Sequence, residues 1–202
     1  ITPRPELATL PIAAMFLGTA LMTFPAAHFM AKAGRRAGFL LGAGLGIAGG
    51  VIPAAGIWMA QLYLLSLGTM LVGAYQAFAQ FYRFAASEVA DDAFRPRAIS
   101  FVMAGGVVAA LLGPLLGRLG GPLMEPAYLG SFLILALVSL IAAGGLTGLK
   151  MPDAKADHVD THKGRPWAEI VLQPAYLVAL FGAATGYGIM ILAMTATPIA
   201  MQ

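Results

Sequence analysis

Five residues in one apolar stretch carry the types and the spacing to bind a solute. Thr69, Gly73, Gln76, Gln80 and Arg83 follow one another at steps of four, three, four and three. At about 100° per residue, all five fall within roughly ±40° of one line along a helix, and the line runs about 21 Å. Two amides supply donors and acceptors, a cation closes one end, and Tyr75 and Tyr82 flank the line. Polar side chains in hydrocarbon are costly and face a bundle interior or a watery cavity. The chemistry is hydrogen-bonded recognition of a solute, not bond making. The plainer alternative is hydrogen bonding between helices by the glutamines, with Arg83 snorkelling to an interface. Tyr187, in GAATGYGIMILAMTATPIAM with Thr185, Thr195 and Thr197, is a second candidate: it either lines a cavity or is simply packed.

Catalysis has little to stand on. The nine carboxylates fall at the ends of apolar segments or between them, and no pair sits at membrane depth. His28 is the only histidine in an apolar segment, and no serine shares that segment. A pairing with Ser66 or Ser100 would need tertiary contact. His158 and His162, beside Asp157 and Asp160, have the spacing of a weak metal site if their segment is helical, but an ordinary polar linker is the simpler reading. Without cysteine there are no disulfides and no thiolate ligands. GLGIAG, from Gly44 to Gly49, matches a dinucleotide fingerprint but has no preceding strand and no carboxylate until Glu88. The cations are too few and too scattered to track nucleic-acid phosphates. Neither an enzyme nor a cofactor is expected.

The elements that must position the stripe are membrane helices. Of 202 residues, 59% are hydrophobic and 10% charged, against about 25% charged in a soluble domain. Six segments reach the roughly 20 apolar residues a span requires: Leu7–Met30, Gly38–Ile57, Met59–Phe84, Ala98–Leu119, Ala127–Leu149 and Pro174–Met201. The expected fold is all-α, a polytopic bundle of six transmembrane helices. Gly38, Gly42, Gly46 and Gly50, and likewise Gly105, Ala109, Gly113 and Gly117, recur at every fourth position. This spacing is expected to line one face of each helix for close packing. Pro25, Pro53, Pro114 and Pro198 lie inside spans or at their ends, where each can kink its helix. The polar stretch Lys150–Ile170 reads as a linker with a surface helix near Trp167. The chain opens on Ile1 and stops at Gln202 inside an apolar run, so a fragment of a longer protein is expected.

Charge placement predicts the orientation. Alternate connections hold Lys32, Arg35, Arg36, Arg83, Arg95, Arg97, Lys150, Lys155, Lys163 and Arg165, ten cations, against Arg4 and Arg118 on the other side. The positive-inside rule makes the first set cytoplasmic.

The stretch FPAAHFMAKAGRRAG resembles the loop between the second and third helices of the major facilitator superfamily of secondary transporters, approximately G-x-x-x-D-R-x-G-R-R. Ala27, Ala31, Lys32, Gly34, Arg35 and Arg36 fall at its six fixed positions. The cationic half matches; the first glycine and the aspartate are alanine. ALLGPLLGR echoes the G-P-x-x-G-G motif of exporters through Gly113, Pro114 and Gly117, and Thr69 stands where drug–proton exporters carry an arginine. The resemblance implies helices two to seven of twelve in a two-half fold. Residues 1–149 would be an N-terminal half lacking its first helix, 150–172 a cytoplasmic linker, and 173–202 the first helix of the second half. It further implies a permease, in the inner or plasma membrane, that moves a small solute by alternating access, with the exporter echo leaning towards efflux. Its partners would be the solute and the lipid bilayer. Substrate contacts fall to Gln76, Gln80, Tyr75, Arg83 and Tyr187. Lys32, Gly34, Arg35 and Arg36 would gate the cytoplasmic side by contacting acidic groups such as Glu88 or Asp91. Protons are the coupling ion to consider, and His28 is the only buried-type group in the segments that suits them. A membrane scaffold or assembly subunit built on glycine-packed helices is the alternative.

Overall fold

A computed structural model of the chain describes residues 7, 9–91, 93–148 and 171–200, with side chains up to residue 193. Among these, every regular element is a helix: α1 (Leu10–Ala33), α2 (Arg35–Trp58), α3 (Leu62–Ala79), α4 (Tyr82–Val89), α5 (Arg95–Gly120), α6 (Leu129–Gly148) and α7 (Pro174–Ala200). An apolar chain in lipid must satisfy its backbone internally, and helices do so. Taking α3 and α4 together as Leu62–Val89, six helices are long and apolar enough to cross a membrane. The protein is a multi-pass membrane protein.

The chain divides into two compact units, Ile1–Lys155 and Ala156–Gln202. The second contains α7, whose described side chains are almost all exposed within its unit. The expected linker over Lys150–Ile170, the surface helix near Trp167 and the His158–His162 pair lie outside the described residues, as do the side chains of Thr195, Thr197 and Pro198.

In the first unit α3 lies between α1 and α2, α2 also packs on α6, and α5 touches α4 and α6. Half of the most apolar stretch of α2 is buried, against none of that of α5, so α2 is the centre of the bundle. The largest fully buried side chains are Phe39, Phe78, Met30 and Pro53. Membrane helices gain little from the hydrophobic effect against lipid and depend on close contact. Glycine permits that contact here. A Cβ added to Gly42 would come within 2.8 Å of Phe78 on α3. At Gly46 it would meet Ser139 Oγ at 2.7 Å, and at Gly50 the Ala136 backbone nitrogen at 2.6 Å, both on α6.

The expectation of one glycine face on α2 is corrected. Residues four apart drift by about 40° per step on a helix of 3.6 residues per turn. Over Gly38, Gly42, Gly46 and Gly50 the drift shares the series among Met30 of α1, Phe78 of α3 and Ser139 and Ala136 of α6. The second series is corrected more strongly. Gly105, Gly113 and Gly117 have nothing within 4 Å of a built Cβ, so in this unit their lack of a side chain admits no neighbouring helix. The glycine that brings α5 to α6 is Gly120, whose Cβ would lie 2.6 Å from Ser131 Cα. Ser131 Oγ also donates to the Gly117 carbonyl at 2.8 Å.

The third span differs from the expected single straight helix. At its waist the Phe81 N–H reaches the Phe78 carbonyl, three residues back, at 3.1 Å, while the Gln80 N–H still reaches Gln76. This local tightening to a 3₁₀ turn separates α3 from α4.

These contacts make a paired prediction for the full-length protein. Gly50→Ala should lower its melting temperature in detergent, a loss on the order of 1–3 kcal/mol from overpacking. Gly44→Ala, at an exposed position with open space around its Cβ, should be neutral or stabilising by up to about 1 kcal/mol through helix propensity. Equal melting temperatures for the two variants would remove the close-contact account.

Candidate functional site: a lateral cavity and a pinned basic end

The polar line on the third span is used in two ways. At its upper end Thr69 Oγ donates to the Pro11 carbonyl at 2.8 Å, across to the start of α1. Gly73 is buried against α1, and its carbonyl accepts from Thr19 Oγ at 3.0 Å. These residues join helices and do not line the large cavity beside the third span. At the lower end Gln76, Gln80 and Arg83 are exposed on this unit. Arg83 lies over the Phe84 ring, 4.9 Å from its centroid.

A cavity of about 940 Å³ opens beside this line. One wall is aromatic: Tyr75 and Tyr82 from the third span, with Phe39 of α2. Phe39 and Tyr82 stack with centroids 4.4 Å apart and an angle of 23° between planes. The opposite wall is α5, which presents Ala98, Val102, Gly105, Gly106 and Ala109. The small residues that were expected to close a helix contact thus leave a space. On α3 and α4 the lining positions Tyr75, Ala79, Tyr82 and Ala86 advance by four, three and four, a line about 100° round the helix from the glutamines. Of the sequence-derived solute contacts, Tyr75 faces this cavity, whereas Gln76, Gln80 and Arg83 do not line it. Tyr187 is half exposed on α7, in the other unit.

The basic end is pinned by its arginines. Gly34 makes the turn between α1 and α2 with φ 85°, a conformation that side chains disfavour. Its N–H closes α1 on the Met30 carbonyl at 3.1 Å. One residue later Arg35 grips Glu88 of α4 with two parallel bonds, Nε to Oε2 at 3.0 Å and the second from its terminal nitrogen to Oε1. The Arg35 guanidinium also lies 5.9 Å from the Phe81 ring centroid. Arg36 turns the other way and donates to the Thr147 carbonyl at 2.6 Å, in the last turn of α6. There it satisfies a carbonyl with no partner inside the helix and opposes the negative helix end. Lys32 is exposed and has no polar partner among the described residues. Sequence reasoning offered Glu88 or Asp91 as partners for the basic cluster, and the structure pairs Glu88 with Arg35; it missed Thr147, because a backbone acceptor carries no residue signature. It also missed the aromatic stack, for which Phe39 and Tyr82 offer no pattern.

Among the described residues the serines considered for bond making meet no histidine. Ser66 and Ser100 donate to their own helices, at Leu62 and Pro96. Among the described residues no three histidine or carboxylate side chains cluster as metal ligands. Helices long and apolar enough to span a membrane thus border a lateral cavity and are tied together at one charged end. The profile of the Major Facilitator Superfamily matches residues 3–202, and the chain belongs to that family. It is also similar to a riboflavin transporter of Brucella anthropi, with 42% identity over 203 residues that cover 100% of this chain and 51% of that protein. The chain therefore spans about half the length of this relative. No solved structure matches.

The arginine clamp is open to a double-mutant cycle in the full-length protein. Glu88→Gln and Arg35→Gln should each lower the melting temperature, and the double variant should be little worse than either. With Arg35 28% and Glu88 51% exposed, screening holds the coupling to about 0.5–1 kcal/mol, and it should shrink in high salt. Strictly additive losses would mean that the pair contributes no coupling.

Proposed function

We propose that the intact protein carries a small solute across the inner membrane by alternating access, and that the solute is riboflavin or a compound of its kind. The similarity to a riboflavin transporter along the whole of this chain carries the proposal. The aromatic wall of Phe39, Tyr75 and Tyr82 supports it physically, since a planar heteroaromatic ring gains from stacking on such surfaces. In this reading the exposed Gln76 and Gln80 face the transport path and supply amide hydrogen bonds to polar edges of the solute, with Tyr75, Arg83 and Tyr187 as further contacts.

The same reading gives the basic end its role. Lys32, Gly34, Arg35 and Arg36 form the cytoplasmic corner, where the family pattern calls for an aspartate and this chain has Ala31. The Arg35–Glu88 clamp acts within the half and keeps the ends of α2 and α4 moving as one body. Residues 150–172 serve as the linker between halves and α7 opens the second half. His28 is the one candidate here for proton coupling, and the exporter-like Gly113–Gly117 segment favours outward movement.

Transport of labelled riboflavin in both directions by proteoliposomes of the full-length protein tests this. Wild type should equilibrate or concentrate riboflavin. Gln76→Ala/Gln80→Ala, at equal reconstitution, should raise KM at least about tenfold, as expected when two hydrogen bonds to a buried solute are lost. Unchanged kinetics in the double variant would remove the glutamines from the path, and absence of riboflavin movement by wild type would overturn the substrate.

A further inference from the structure

The groove between α1 and α2 at the basic end carries Lys32 and His28 on its rim, and the proposed transport cycle gives its apolar trough no role. It has a volume of about 550 Å³ and is floored by Phe78, which is 2% exposed. Met22, Phe29 and Leu41 make its apolar sides. His28 and Lys32 stand along one rim, four residues and thus about 6 Å apart on α1. Lys32 is at the charged end, His28 is one turn deeper, and only apolar groups lie beyond.

Among the described residues the charges around it are unbalanced. Arg35 is committed to Glu88 and Arg36 to the Thr147 carbonyl. Lys32 alone of this cationic trio has no polar partner among the described residues, and no carboxylate lines the groove. A lysine beside an open hydrocarbon trough calls for an anion that brings its own hydrocarbon.

We propose that this groove binds one anionic phospholipid of the cytoplasmic leaflet. The phosphodiester pairs with the Lys32 ammonium, and the His28 imidazole donates to a phosphate or ester oxygen. One acyl chain lies along Met22, Phe29 and Leu41 over Phe78. The order of groups along the groove, cation, then hydrogen-bond donor, then apolar floor, is the order of groups along such a lipid. Basic pockets between helices on the cytoplasmic side hold anionic headgroups for this reason. A soluble anion would use the rim and leave the trough empty, and a zwitterionic lipid would bring a second cation to Lys32.

Native mass spectrometry of the full-length protein, titrated with phosphatidylglycerol or phosphatidylcholine, tests this without any reference to transport. Wild type should retain one phosphatidylglycerol in preference to phosphatidylcholine. Lys32→Gln should weaken that binding about fivefold, the effect of one cation near a membrane surface, and Lys32→Arg should restore it. Leu41→Trp, at a position 41% exposed, should fill the trough and abolish retention with both rim groups intact. Equal retention of the two lipids by wild type would overturn the proposal, as would full retention by Leu41→Trp. Displacement of the lipid by inorganic phosphate alone would overturn it in favour of a free-anion site.

Discussion

A helix in lipid can approach another only as closely as its side chains allow, and in this protein that limit is set by the glycines of α2. At Gly42, Gly46, Gly49, Gly50 and Gly56 a methyl group would run into a neighbouring helix, three times into backbone atoms. Lipid is as apolar as leucine, so burial of side chains alone gives helices little reason to associate. Close backbone approach, which multiplies dispersion contacts, replaces it. Because the glycine positions wind around α2, a single helix holds α3 on one side and α6 on the other. The positions of the cavity, the basic end and the groove beside Lys32 all depend on where α2 holds its neighbours.

The arginines extend this constraint to the charged end. Gly34 leaves a single residue between α1 and α2, so Arg35 and Arg36 stand at the very start of the central helix. Helical geometry sends consecutive side chains about 100° apart. One therefore reaches α4 and the other α6, the same two directions that the glycines serve further along. The Phe39–Tyr82 stack lies a turn deeper on the α4 side. Glycine contact at depth and arginine contact at the surface thus bind α2 twice to the third span and twice to α6, which suits a half that moves as a rigid body in the proposed cycle.

α5 behaves differently. It is held at its ends, by contact with α4 and by the Gly120–Ser131 approach to α6, and its middle is open. The cavity exists because the residues between these ends are too small to fill the space against Tyr75 and Tyr82. A glycine face is therefore ambiguous: with a partner it is a seam, and without one it is a wall. The polar line on the third span is ambiguous in the same way. Thr69 and Gly73 spend their polar groups on α1, while the glutamines further along are exposed on their own unit.

The sequence by itself determined the elements. Apolar length and polar breaks were enough for six membrane helices, because hydrocarbon enforces backbone hydrogen bonding within each segment whatever its neighbours are. The cationic motif Lys32–Arg36 and an acidic partner at Glu88 or Asp91 were legible for a related reason, since opposite charges at the ends of neighbouring spans have few other places to go; the choice of Glu88, by Arg35, was not. Only the tertiary structure decided which small residues touch, which polar residues face a cavity, and that Arg36 ends on a backbone carbonyl. Periodicity gives a residue's direction from its own helix axis but not what lies in that direction. Gly46 and Gly105 look alike in sequence, and they differ because α6 lies against one and nothing in its unit lies against the other.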